Sequence, residues 1–284
     1  MIDLHAHTTF SDGEYTPEEL IDIAIKNNIT ALAITDHDTV DGVKSALKYA
    51  ENKNILIVPG IEFDTNYEAG QMHILGLFLD YKNKNLNEKL DFVREEREIR
   101  NKKFIKIFND MGFSITEEEL KAITPGRVIG KPHFARVFIN KGYIKNKDEM
   151  FDDYFNKLPE LKIRKVTYDP KTVISLIKES SGLAILAHPQ SLKLGNDELY
   201  EKLKELKSYG LDGMECYHSR QTLEQMKDFR KMADELNLLV SKGSDYHGPI
   251  VKPGIELGRG IENNIVNNEE DYIIEKLVKV KKQI

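Results

Sequence analysis

The sequence predicts an α/β fold: a mainly parallel barrel of seven strands with a helical segment set into it. Three observations lead there. Short β-rich apolar runs alternate with segments of helical periodicity, which is the pattern of strands joined by helices around a parallel sheet. Residues of one chemical kind, His, Asp and Glu, follow one apolar run after another, and a parallel barrel collects the ends of its strands at one mouth. Residues 82–165 break the alternation, leaving 1–81 and 166–284 as the two parts of the barrel.

The elements follow in order. Residues 2–5 open as a strand, and Asp12-Gly13 turns the chain. A helix starts after Thr16, which serves as N-cap, with Pro17 at the first helical position where no N–H is needed. Residues 31–35 form the second strand and 39–52 a helix. Residues 55–58 form the third strand, ending at Pro59-Gly60 just ahead of Glu62. The fourth, 73–78, carries its histidine at the start instead of the end. Runs at 183–187, 213–217 and 238–241 complete the set, with helices over 170–180, 197–209 and 221–236 from periodic apolar spacing. In the insertion, 87–112 reads as one long charged helix with a partial apolar stripe of Leu90, Val93, Ile99, Phe104, Ile107 and Phe108. A capping-box start at Thr116 and a helix led by Pro132 come next. The whole segment is expected to lie over the barrel mouth as a helical lid.

Bulk properties narrow the function classes. With 284 residues, 40% hydrophobic and 31% charged, the chain is an ordinary globular protein able to bury a sizeable core. No apolar run approaches the ~20 residues of a membrane span, and no secretory signal is visible at the start. The single Cys216 excludes an internal disulfide framework, fits a reducing cytoplasm and reads as a small buried hydrophobe. A net charge of −6 argues against general coating of nucleic acid, but the charge is uneven. Residues 82–165 hold 20 Lys/Arg against 14 Asp/Glu, and the remainder 21 against 33. A mildly basic segment is thus set in an acidic body, either as a solvated helical face or as a surface for an anion. Nothing points to a stable protein partner.

All eight histidines fall in short, chemically loaded clusters. His5 and His7 lie in DLHAHT, His37 in ITDHDT, His73 in QMHILG, His133 in GKPHFAR, His188 in ILAHPQ, His218 in CYHS and His247 in GSDYHG. Asp12, Asp36, Asp38, Glu62, Glu215 and Asp245 accompany them. Neutral imidazole and carboxylate are the ligand set of Zn, Mn or Fe, and so many suggest more than one divalent ion. Residues i and i+2 on a strand share a face, so His5 and His7 can reach one ion, and Asp245 with His247 repeat the spacing. A lone HxH says little; its weight comes from Asp12 and the TDHDT segment that follow. Glu62 alone reads as a surface residue, and His73 alone as a satisfied core histidine. Asp38 can cap a helix at Thr39, and Asp36 can orient a ring.

DLHAHTTFSDG, ITDHDTVDG, VPGIEF, MHILG, LAHP and GSDYHG, in this order, resemble the PHP (polymerase and histidinol phosphatase) superfamily from residue 2 to about 260. GRVIGKPHFARVF in the insertion is similar to the stand-alone phosphoesterase branch, which includes nucleoside 3′,5′-bisphosphate phosphatases and 5′→3′ exonucleases on short RNA. The resemblance implies a distorted, TIM-like (β/α)7 barrel. It implies one ion held by His5, His7, Glu62 and Asp245, a second by Glu62 as bridge with His73 and His188, and a third by Asp12, His37 and His247.

A phosphate ester repels hydroxide, and clustered divalent ions relieve that repulsion. The expected reaction is therefore phosphomonoester hydrolysis of a nucleotide by a metal-bridging hydroxide near Glu62 and Asp245. A 3′,5′-bisphosphate, with extension to short 5′-phosphorylated oligonucleotides, is the expected substrate. Arg127 and His133 are the expected phosphate contacts, with Lys131 and Arg136 flanking them as further contacts or as surface charge. His218 is read as a leaving-oxygen acid, a phosphate ligand or a plain loop histidine. Histidinol phosphate is the alternative substrate. Amide hydrolysis and a non-catalytic metal-binding module are the readings from other classes.

Overall fold

The computed structural model describes residues 1–67, 69–123 and 128–282. Seven strands form one sheet in chain order: β1 (Ile2–Asp3), β2 (Ala31–Ile34), β3 (Leu56–Asp64), β4 (His73–Leu77), β5 (Leu183–Leu186), β6 (Gly213–His218) and β7 (Leu239–Gly243). The sheet curls until its two edges meet. Leu4 N–H donates to the Lys242 carbonyl at 2.9 Å, Asp245 N–H to His5 at 2.8 Å and His7 N–H to Tyr246 at 2.9 Å. The fold is a nearly closed, seven-stranded α/β barrel of the kind the strand pattern predicts.

The helices are α1 (Pro17–Lys26), α2 (Val43–Ala50), α3 (Lys84–Asp110), α4 (Glu117–Ala122), α5 (Lys131–Asn140), α6 (Lys147–Glu149), α7 (Pro170–Glu179), α8 (Asn196–Ser208), α9 (Leu223–Glu235) and α10 (Glu270–Lys281). Capping starts α1 as expected: Thr16 Oγ1 accepts from the Glu19 amide at 3.2 Å, and Glu19 Oε2 accepts from the Thr16 amide at 2.9 Å. Because helices cover the sheet, β5 buries all four of its residues, Leu183 to Leu186.

Strand β3 runs further than its sequence suggests, past Pro59 and Gly60 to Asp64. Residues 56–59 pair in parallel with β2, and 60–64 pair antiparallel with β4. Pro-Gly thus marks a change of partner instead of the end of the strand. Gly60 is needed there, since a Cβ would lie 2.8 Å from the Ile34 carbonyl oxygen and from Thr35 Cγ2. Glu62 consequently sits on the strand itself. Strand β4 is antiparallel to both neighbours, so its first residue, His73, reaches the end of the barrel where the parallel strands finish.

Helix α2 begins at Val43, not at Thr39. Thr39 Oγ1 instead accepts from the Asp41 amide at 3.2 Å, which makes a turn, and Asp38 is no cap. Helix α3 also departs from its expected stripe. Ile99 is exposed, and Leu86, Leu90, Val93, Arg97, Arg100, Phe104 and Phe108 form the buried side.

Two apolar clusters result. One fills the barrel and includes Leu86 and Leu90 of α3; the other lies between Phe104 and Leu161. The second is rich in edge-on aromatic pairs, such as Phe108–Phe138 at 4.8 Å and Phe104–Phe155 at 5.2 Å. Among the described residues, no helix is long and apolar enough to cross a membrane.

Candidate metal centre

Glu62 is surrounded by five imidazoles. Its Oε1 lies 2.8 Å from His73 Nδ1, 2.9 Å from His188 Nε2 and 3.3 Å from His5 Nε2. Its Oε2 lies 3.0 Å from His37 Nδ1 and 3.3 Å from His7 Nε2. Each oxygen therefore faces its own group of rings. Asp245 Oδ1 joins His7 at 3.3 Å and His5 at 3.6 Å, and Asp12 Oδ1 lies 3.2 Å from His247 Nε2. Three sets bring their ligand atoms within 4.8 Å of one another: His5, His7, Glu62 and Asp245; His7, Asp12, His37 and His247; and His37, Glu62 and His73.

The barrel ends hold these groups in place. His5 Nδ1 lies 3.1 Å from Glu215 Oε1, whose other oxygen accepts the His188 amide at 2.7 Å. One buried carboxylate from β6 thereby orients a ring on one strand and the backbone beside another. Strand β7 can approach only because Gly243 has no side chain, since a Cβ would lie 2.2 Å from His5 Cβ and 2.7 Å from Glu215 Oε1. Asp36 accepts from the Thr8 amide at 2.7 Å and the Ser11 hydroxyl at 2.6 Å, shaping the loop that carries Asp12. Asp38, His188 and Asp245 all have left-handed backbones, with φ of 52°, 26° and 56°. Such conformations cost energy in non-glycine residues and gather where function demands them.

Divalent cations fit this donor set. Nε2 of His5, His7 and His218, Nδ1 of His37, Oδ1 of Asp12 and Asp64, and Oε2 of Glu62 are all buried without a hydrogen-bond partner among the described residues. Each such atom costs about 1–3 kcal/mol when left unsatisfied, so seven in one place call for a charge to share. Burial alone would raise the Glu62 carboxyl, but His37, His5 and His73 outweigh it and hold it well below the usual range. Asp245 is likewise held low against the cost of burial, by Lys252 first and then His5 and His247. Ionised carboxylates facing imidazole nitrogens are what a metal site requires.

All nine expected ligands, His5, His7, Asp12, His37, Glu62, His73, His188, Asp245 and His247, meet at this mouth. The expected substrate contacts divide. Lys131 and His133 line a cavity of about 770 Å3 between the cluster and the helical segment, together with Ser11, Asp12, His37 and His73. His133 is buried, its Nδ1 accepts from the Gly130 amide at 2.9 Å, and burial keeps the ring neutral. Arg136 is exposed on α5 and is not among the residues lining this cavity. Arg127 lies outside the described residues. His218 is no loop histidine. It ends β6, is buried beside His188 and His5, and places Nε2 3.5 Å from Asp245 Oδ2. It does not line the cavity.

Some residues of the site escaped the sequence reading. Asp64 Oδ1 lies 2.8 Å from His73 Nε2 and 3.5 Å from His37 Nδ1. Its position two residues after Glu62 on one strand was the available signal. Arg97 of α3 pairs with Asp38, and Lys165 pairs with Asp64 and Asp38, so the segments entering and leaving the insertion both grip the loops beside the cluster. Arg97 and Arg100 occupy positions where the apolar stripe of α3 should continue. Arginines at core spacing were the sign that this face meets a polar site.

The PHP domain family matches residues 3–208. A 5′-3′ exoribonuclease of Haemophilus influenzae is 30% identical over 263 residues, covering 92% of this chain and 94% of the relative. A 3′,5′-nucleoside bisphosphate phosphatase of Chromobacterium violaceum is 28% identical over 256 residues, 87% of each chain. The solved structure of a candidate metal-dependent phosphoesterase from Bifidobacterium adolescentis superposes with a TM-score of 0.84 at 29% identity, covering 98% of this chain and 95% of that one.

Proposed function

This chain belongs to the PHP domain family, and on that premise we propose that it removes a phosphate from a nucleotide carrying more than one. Its class, a metal-dependent hydrolase of phosphate esters, follows from the family and its relatives. The substrate proposed is a nucleoside 3′,5′-bisphosphate, with short 5′-phosphorylated oligonucleotides as extended substrates. The observation that carries this reading is the junction of two opposite surfaces, a His/Asp/Glu cluster and a wall of Arg and Lys, across one cavity.

In this reading His5, His7, Glu62 and Asp245 would hold one ion, Glu62, His73 and His188 a second, and Asp12, His37 and His247 a third. Bound divalent ions neutralise phosphoryl charge and bring the pKa of water from 15.7 towards about 7. The remaining work belongs to side chains. Glu62 sets the spacing between the ring groups on its two oxygens. Glu215 fixes His5, and Asp36 fixes the loop of Asp12. His133, with Nδ1 accepting from Gly130, carries its proton on Nε2 and offers a neutral donor near Asp12. Lys131 supplies positive charge across the cavity, and Arg127 is proposed as a further phosphate contact. Residues 82–165 act as the lid that closes this space against water. A cytoplasmic location belongs to the same reading and rests on the lone, buried Cys216.

The test is release of phosphate by the Mn2+-loaded protein from adenosine 3′,5′-bisphosphate, a 5′-phosphorylated dinucleotide, histidinol phosphate and an amide control. The bisphosphate is expected to be turned over with the highest kcat/KM. Preference for histidinol phosphate, or cleavage of the amide alone, would refute the proposal.

A further inference from the structure

The lid wall holds buried positive charge that no carboxylate among the described residues answers. Arg97 and Arg100 lie one turn apart on α3, and both are 6% exposed. Arg97 is paired with Asp38, but Arg100 has no carboxylate within 4.0 Å among the described residues. Its only hydrogen-bond acceptor among them is Asn101 Oδ1, 3.0 Å from Nη2. Burial and then the neighbouring Arg97 both disfavour its charge, with Asp38 only partly compensating. Lys131 enters from α5, half-buried, with Nζ 4.6 Å from the centre of the Phe155 ring and likewise no carboxylate partner among the described residues. Arg100, Lys131 and Phe155 all line the same cavity as the metal cluster.

A guanidinium removed from water and left beside another cation is costly unless a ligand brings the missing anion. The cavity's described acidic residues are Asp12 and Asp64, and neither lies within 4.0 Å of Arg100 or Lys131; Lys165 pairs with Asp64, and the flanking Arg97 pairs with Asp38. We infer that Arg100 and Lys131 form a second anion subsite, which takes the non-reacting phosphate of the substrate while the scissile phosphate meets the metal cluster. The inference rests on the nucleotide reading above and deepens it by naming the residue that tells a two-phosphate ligand from a one-phosphate ligand. Arg100 suits the task because its planar fork can donate two parallel bonds to phosphate oxygens. Phe155 holds Lys131 in place and offers an apolar flank.

The experiment measures inhibition of aryl phosphate hydrolysis by adenosine 3′,5′-bisphosphate and by adenosine 3′-phosphate, for the wild-type protein, Arg100→Lys and Arg100→Gln, each loaded with Mn2+. The wild type is expected to bind the bisphosphate about tenfold more tightly than the monophosphate, the worth of a charge-assisted pair. Arg100→Gln is expected to bring that ratio near one, and Arg100→Lys to retain part of it. The melting temperature of ligand-free Arg100→Gln should stay level or rise, because an unanswered buried charge is removed; a merely structural arginine would give a fall. A 5′-phosphorylated dinucleotide in the same assay separates a phosphodiester from a terminal phosphate as the anion recognised. The inference is overturned if the wild type shows no preference, or if Arg100→Gln keeps it. Direct phosphate release from the two nucleotides is scored separately, so that failure of the nucleotide reading is distinguishable from failure of the subsite.

Discussion

His73 Nδ1 meets Glu62 Oε1 at 2.8 Å across an antiparallel pair of strands in an otherwise parallel barrel. The reversal of β4 is what brings the histidine at its start to the same mouth as the His, Asp and Glu residues at the ends of the other strands. Glu62, on the strand beside it, then stands between two sets of rings, and the site's chemistry depends on that position.

Replacement of Glu62 by Gln should therefore do more than remove one ligand. It keeps the shape but takes away the charge facing five imidazoles. Turnover of an aryl phosphate should fall by about a thousandfold or more, the scale of losing several kcal/mol of transition-state stabilisation. Bound metal, measured by elemental analysis, should fall in parallel. Full metal content with normal turnover would refute the bridging role.

Glu215→Gln tests support without ligation. Its carboxylate contacts His5 Nδ1 and the His188 amide but is not proposed to touch an ion. A loss of about 10–100-fold in metal affinity or activity is expected, as for other residues that orient a metal-binding histidine. Titration of metal against activity reads it out, and recovery at high Mn2+ would mark the effect as one of affinity.

Gly243→Ala places a methyl where His5 and Glu215 already stand. Overpacking of this kind costs about 1–3 kcal/mol. The variant should melt several degrees lower and lose metal, and unchanged melting would show that the strand can yield.

Cys216 should be inert in the folded protein. It is buried, and burial pushes its thiol well above the ordinary range, so little thiolate forms at neutral pH. A chromogenic disulfide reagent should label it only after denaturant is added. Rapid labelling of native protein would contradict the packing of β6.

Much of this was legible in the sequence for physical reasons. Histidines carry a rare and specific chemistry, so their clusters after apolar runs marked the mouth before any fold was known. Strands buried on both faces read as continuous apolar runs, which made seven of them countable. What stayed hidden depended on pairing. Nothing local distinguishes a reversed strand from a parallel one, so β4 betrayed itself only by its histidine at the wrong end. Pro59-Gly60 reads locally as a stop, and only the two partners of β3 show that the strand continues. Arg97 and Arg100 lay in a helix of mixed charge, where a solvated face was the simpler reading. Their spacing with Leu90, Val93 and Phe104 held the contrary information.

The most direct test of the account is an anomalous difference map from crystals grown with Mn2+. The account predicts two or three peaks within the ring of His5, His7, Asp12, His37, His73, His188, Asp245 and His247, with Glu62 between two of them. Peaks confined to the surface, or no peak beside Glu62, would contradict it.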